Sequence, residues 1–248
     1  PLQLYEAEYL ASASAVANLG VSSRPSLKAG LRLRLRSTAG LNFNHLSLDR
    51  LAVFLRGGEV AVSVYEQLMA NLLDVMVQSG QRPLPRSISI GASAVKRLGF
   101  EDQQALLPIT ARSFRGYRFL QEYFAFPERF LFVELTGLQP AVRRCEATDL
   151  DFIFLFDRSH AQLAETVDAS HFNLFCTPAI NLFSKQADRI HLTPQVSEYH
   201  IVPDRTRPMD FEVYGASEVM GFGARAEPEI EFLPFYELKE RSAYHQRK

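Results

Sequence analysis

The sequence has no tryptophan and only two cysteines, Cys145 and Cys176, among 248 residues. Two cysteines without CxxC spacing exclude a disulfide framework and a Cys-based metal cluster, and they fit a reducing compartment. An excess of charge is also missing. Lys and Arg total 27 against 28 Asp and Glu, so no global field draws in nucleic acid or an anionic membrane surface. No apolar run reaches the length of a spanning helix, and the opening PLQLYEAEYL lacks a basic end followed by an apolar block. These absences predict a chain that works in water.

What is present is ample core material. The chain is 47% hydrophobic and carries 19 Phe, enough for one large or two small domains. Large rings suit a core and permanent subunit contacts equally, and composition does not apportion them.

The strict alternation LRLRLR places Leu31, Leu33 and Leu35 on one strand face and Arg32, Arg34 and Arg36 on the other. Arg50 to Leu55 reads as a second strand, broken by Gly57 and Gly58. Val64, Leu68, Leu72, Val75 and Met76 fall at helical spacing, predicting one helix from Glu59 to Gln78. Short strands are expected at Ser87 to Ile90 and Ser93 to Lys96, with a loop from Gly99 to Leu107. A helix from Thr110 to Ala125 carries one stripe of Phe114, Tyr117, Leu120 and Phe124 and another of Phe119, Tyr123 and Phe126, predicting burial on two sides. Phe130 to Leu135 is the next strand. DFIFLFD, Asp151 to Asp157, is apolar at every interior position and predicts a central strand covered on both faces.

A helix from Ala169 to Leu182, kinked at Pro178, is expected next, so strand, strand and helix recur as a weak repeat. After Asp188 the chain reads as β-rich, with strands near Ile190 to Leu192, Ser197 to Val202, Phe211 to Tyr214 and Glu229 to Leu233. The predicted class is α+β, with mixed sheets and covering helices. The expected division is a first α+β module over 1–127, a second over 128–187 and an incomplete β-rich subdomain over 188–248.

Catalytic groupings are thin. His160, His171, His191 and His200 have Asp157, Asp168 and Glu198 near them in sequence, but no HExxH and no recognised ligand spacing. Hydrogen-bonded histidines are the favoured reading, and a hydrolase or carbohydrate-active enzyme using the His160 to His200 region is the rival. Cys176 and His171 are five residues apart on the expected helix and so face different ways. Ser159 beside His160 is adjacent rather than opposed, and no GxSxG elbow is present. Asp149, Asp151 and Asp157 offer carboxylates without selecting a pair. GFGARA, Gly221 to Ala226, lacks the Lys-Ser/Thr of a P-loop and reads as a hairpin tip. No cofactor and no metal are expected.

The sharpest local feature is IVPDRTRPMDFEVYG, Ile201 to Gly215. Pro203 and Pro208 fix two φ angles and remove two donors, which predicts a rigid connector between two strands. Arg205, Arg207 and Asp210 there suit both a solvated loop and recognition of a carboxylate-bearing partner. The Arg32, Arg34 and Arg36 face reads first as salt-bridged or solvated and second as a partner surface. An isolated binding module is a further alternative.

Together with FPERFLFVEL (Phe126 to Leu135), CTPAINLF (Cys176 to Phe183), SEYHIVPD (Ser197 to Asp204) and FLPFY (Phe232 to Tyr236), that connector resembles the TssF family of type VI secretion baseplate proteins, also called ImpG or VasA. Family members are longer, so the chain is read as a piece from the middle of such a protein. The resemblance implies a non-enzymatic structural subunit. Two TssF copies would join TssG in a wedge, with TssE and TssK, around the VgrG spike at the cytoplasmic face of the inner membrane. No functional residue is carried over from the family, and the interface candidates remain Arg205, Arg207, Asp210, Arg32, Arg34 and Arg36.

Overall fold

The computed structural model describes residues 2–22, 24–80, 87–108, 114–223 and 229–233. β1 (Leu2–Leu10) leads through α1 (Ala13–Ala17) to β2 (Ala29–Ser37), followed by β3 (Arg50–Leu55), α2 (Glu59–Ala70) and β4 (Leu72–Ser79). Short β5 (Ile88–Ser89) and β6 (Val95–Arg97) precede α3 (Arg115–Ala125). Then come β7 (Phe132–Thr136), α4 (Gln139–Val142), β8 (Asp149–Phe156), α5 (Ala161–Thr166) and β9 (Phe172–Leu174). β10 (Val219–Gly221) pairs with β11 (Ile230–Phe232). The chain forms two compact units, Pro1–Ile180 and Asn181–Lys248.

The first unit holds a five-stranded sheet, β1-β2-β8-β4-β5, and a four-stranded sheet, β6-β7-β3-β9. The class is α+β, as expected, but every described strand pair is antiparallel, so the sheets are not mixed. β8 is inserted between β2 and β4 in the five-stranded sheet, and strands from before and after residue 127 alternate in the four-stranded one, which places the stretches 1–127 and 128–180 in one folding unit.

One core joins the two sheets. Leu31, Leu33 and Leu35 of β2 and Phe152, Phe154 and Phe156 of β8 pack with Leu51, Val53 and Leu55 of β3 and Val133 and Leu135 of β7. Ala61, Val64 and Leu68 of α2 and Leu163 of α5 complete it. The other face of β8 puts Ile153 and Leu155 in a second cluster with Val16 of α1, Leu10, Val21, Leu27 and Met76. DFIFLFD is therefore the central strand the unbroken apolar run predicts, buried on both faces.

The expected helix from Glu59 to Gln78 ends at Ala70, and Leu72–Ser79 is a strand instead. Helical and strand periods both accommodate Val75, and pairing with β8 decides between them. A bulge between Leu72 and Asp74 starts the strand, and Asp74 Oδ1 accepts from the backbone N–H of Val75 and Gly91.

The helix expected from Ala169 to Leu182 is a single 3-10 turn, Ala169–His171, followed by β9. Asp168 caps that turn by accepting from Ser170 N–H, and Phe175 at φ 59° ends the strand in a left-handed conformation. Strand, strand and helix run in order as β2, β3, α2, but the second run is β7, α4, β8, α5, with a short helix between its strands and without the helix expected from Ala169. The first run starts in the five-stranded sheet and the second in the four-stranded one.

In the second unit, 190–192, 197–202 and 211–214 are not strands. Side chains hold the connector between the second and third of these stretches: Asp188 accepts from Arg205 N–H and Asp204 from Thr206 N–H. Pro208 opens a 3-10 turn, Pro208–Asp210, inside the connector. Of the expected strands, only that at Glu229 to Leu233 forms.

Candidate contact surfaces

α3 is built inside out. Phe114 at its N-cap, Tyr117, Leu120, Tyr123 and Phe124 are all more than half exposed, and Phe124 reaches 81%. The expectation that both stripes would be buried therefore fails for the first stripe and, in the second, for Tyr123 and Phe126; residues 110–113 of the expected helix lie outside the described residues. The buried face is ionic instead: Arg118, Glu122 and, from the following 3-10 turn, Arg129.

Glu122 ties this face together. Its Oε1 accepts from the backbone N–H of Leu106 at 3.0 Å and Leu107 at 3.1 Å. Its Oε2 meets Arg118 Nη1 at 3.4 Å and is also in direct contact with Arg129 Nη1. Arg129 Nη2 donates to the Gln104 carbonyl at 2.7 Å. Burial first, and the like charge of Arg118 second, lower the pKa of Arg129, which remains a cation at neutral pH. Around these charges the rings of Phe100, Phe119 and Phe130 pack together, with Arg97 over Phe100, Arg118 over Phe119 and Arg129 over Phe130.

The arginines of β2 form a cross-strand ladder. Arg32 reaches Glu8 at 2.7 Å and also Glu6, Arg34 reaches Glu6 at 3.0 Å and Asp151 at 2.9 Å, and Arg36 reaches Asp149 at 2.8 Å. Tyr5 lies beneath the Arg36 guanidinium, 4.3 Å from ring centroid to Cζ. Burial opposes the charge on Arg34, but its hydrogen bonds to Glu6 and Asp151 outweigh that and raise its pKa. All three arginines thus have acidic partners within the unit.

Arg205, Arg207 and Asp210 lie in the second unit, and all are exposed. Arg207 pairs with Asp210, while Arg205 Nη2 donates to the Arg189 carbonyl at 2.8 Å and its Nε lies 3.6 Å from Asp188. Among the described residues of this unit no side chain is buried, and Leu192, Met209, Tyr214 and Phe222 stand well exposed.

The other candidates disperse. His160 sits at the start of α5, its N–H donating to Tyr9 Oη at 3.0 Å, and Ser159 Oγ donates to the Ala11 carbonyl. His171 is tied to Asp168 at 3.0 Å, and His191 and His200 are exposed in the second unit. Cys145 is buried and Cys176 exposed. Asp149 and Asp151 carry the arginine ladder. Gly221 ends β10 where the Phe232 ring leaves no room for a Cβ, and the end of GFGARA falls outside the described residues. Among the described residues no three His, Cys, Asp or Glu side chains gather as a metal site would require, and no helix is long and apolar enough to cross a membrane. Sequence reasoning passed over Arg118, Glu122 and Arg129. The signal for the first two was an i,i+4 ion pair on the stripe opposite the aromatic one, and Arg129 had none.

These observations define an α+β protein whose most developed surface is an aromatic helix face backed by buried charge. The family model described as "Type VI secretion system, TssF" matches residues 1–248, and the chain belongs to that family. It is 45% identical over 245 residues, 98% of its length, to the type VI secretion system component TssF1 of Pseudomonas aeruginosa PAO1, and it spans 39% of that relative. A chain in the cryo-electron microscopy structure of a type VI secretion TssK-TssF-TssG baseplate subcomplex matches with a TM-score of 0.67 at 24% identity. That match covers 95% of this chain and 41% of the other, and at such identity it speaks for the fold alone.

Proposed function

We propose that this chain is a structural, non-catalytic part of a type VI secretion baseplate subunit, and that the outward face of α3 is a contact surface for TssG. The observation that carries the reading is the exposure of Phe114, Tyr117, Leu120, Tyr123 and Phe124 on one element. A contiguous apolar patch on the order of several hundred Å² marks a docking site rather than ordinary surface. TssG is the occupant because the chain belongs to the TssF family and a chain of like fold was solved in a complex named for TssK, TssF and TssG. Two copies of the full-length protein would meet one TssG in a wedge. TssE and TssK would join that wedge around the VgrG spike, at the cytoplasmic face of the inner membrane, as the platform for the contractile sheath.

The turn bearing Arg205, Arg207 and Asp210 is a second contact in this reading. Its charges are exposed, and the prolines at 203 and 208 reduce the cost of ordering it. The Arg32, Arg34 and Arg36 face ranks behind it, because Glu6, Glu8, Asp149 and Asp151 already neutralise those charges.

Co-purification of the full-length protein and of this chain with TssG and TssK from the same organism, with masses from light scattering, tests the proposal. A complex of two full-length copies per TssG supports it. Association with TssK alone, self-association alone, or no complex would each contradict the assignment to TssG.

A further inference from the structure

We infer that the Arg118–Glu122–Arg129 cluster is a positioning device that holds α3 with its aromatic face outward, so that the surface is presented before a partner arrives. The inference rests on the reading of that face as a contact surface. Left to the hydrophobic effect, a helix this amphipathic would roll its rings inward, and the seat beneath it, with Phe100 and Phe130, is itself aromatic. What opposes the roll is the bonding of one carboxylate. Glu122 is the acceptor for two backbone N–H groups of the 106–107 loop and the counter-ion of two buried guanidinium groups.

Turning Glu122 toward solvent would strand the Leu106 and Leu107 donors and leave Arg129 buried without its carboxylate. Groups so stranded are costly. A buried ionic cluster of this kind contributes little net stability compared with apolar residues of like volume, and its best attested use is to fix one arrangement over its competitors. Arg129 extends the device beyond α3, because its Nη2 bond to the Gln104 carbonyl fastens the turn after the helix to the loop before it.

The test reads the orientation of α3 without any partner. In a Cys176→Ser background, Leu120→Cys puts a thiol on the outward face, and its rate of maleimide labelling reports the exposure of that face. Replacing the cluster by Arg118→Leu, Glu122→Leu and Arg129→Met keeps volume while removing every charge. The expected result is a cooperative unfolding transition retained, with labelling slowed by about tenfold or more as the helix rolls inward. Glu122→Gln, a smaller change, is expected to slow labelling in the same direction. Labelling that stays unchanged in both variants, or that accelerates because α3 comes away from its seat, overturns the inference. Since labelling needs no TssG, this outcome stands apart from whether TssG binds.

Discussion

Arg34 Nε donates to Asp151 Oδ1 at 2.9 Å, and the two residues lie directly opposite each other on β2 and β8. The pairing is what allows a strand with three arginines to sit in the middle of a sheet. Asp151 is almost fully buried and Arg34 about one quarter exposed, so removing one partner leaves the other desolvated and unpaired. Asp151→Ala is expected to cost about 1–3 kcal/mol in urea unfolding. Arg34→Met combined with Asp151→Leu should cost less than the sum of the single changes, because neither charge is then stranded.

The same site sets a pH dependence. Burial raises the pKa of Asp151 above its ordinary 3.8 despite the bond from Arg34, so the native state holds this proton more tightly than the unfolded chain does. Its contribution to stability therefore falls as pH rises from about 3.8 through the folded value. Asp168 has the opposite sign: hydrogen bonds from the Ser170 hydroxyl and backbone lower its pKa, so its contribution is present above 3.8 and lost as pH falls through the folded value. Carboxyl NMR titration should place Asp151 above 3.8 and Asp168 below it, and Asp151→Asn should remove the first slope.

The two cysteines should differ sharply toward thiol reagents. Burial raises the pKa of Cys145 and shields it, whereas Cys176 is exposed. One thiol should react in the native protein, and the second only after denaturant is added. Two equally fast thiols would contradict the core packing around Cys145.

Core and exposed apolar positions should separate by unfolding. Phe152→Ala removes a fully buried ring from the central strand and is expected to cost about 3–5 kcal/mol. Arg205→Ala with Arg207→Ala removes only exposed pairs and should shift stability by about 0.5 kcal/mol or less.

Alternation made the centre of the fold legible. LRLRLR is β2 with its leucines in the core, and the unbroken DFIFLFD is the doubly buried β8. β1 was not legible because a bulge between Leu4 and Glu6 shifts its phase. Leu2 and Leu4 pack on the core before the bulge, and Ala7 and Tyr9 after it, so no single period describes the strand. Leu72 to Gln78 reads as helix because its apolar spacing fits both periods, and only β8, some 75 residues on in sequence, decides between them. The short runs at 190–192, 197–202 and 211–214 carry strand propensity, but among the described residues no ladder pairs them, and propensity alone does not make a strand.

The proposed contact surface was half legible. The aromatic stripe on α3 is plain from spacing, but periodicity identifies an apolar face without saying whether the chain itself covers it. The buried cluster beneath it includes Arg129, seven residues beyond Glu122 and outside the helix, where helical spacing does not look.

The central claim is that the outward face of α3 binds TssG, and the affinity of a variant tests it most directly. Tyr117→Asp with Phe124→Asp alters only exposed side chains, so the unfolding midpoint should be nearly that of the unaltered protein. Titration of the full-length protein against TssG should then show binding weakened by about a hundredfold or more, as loss of aromatic anchors does. Unchanged affinity in a folded double variant would contradict the account.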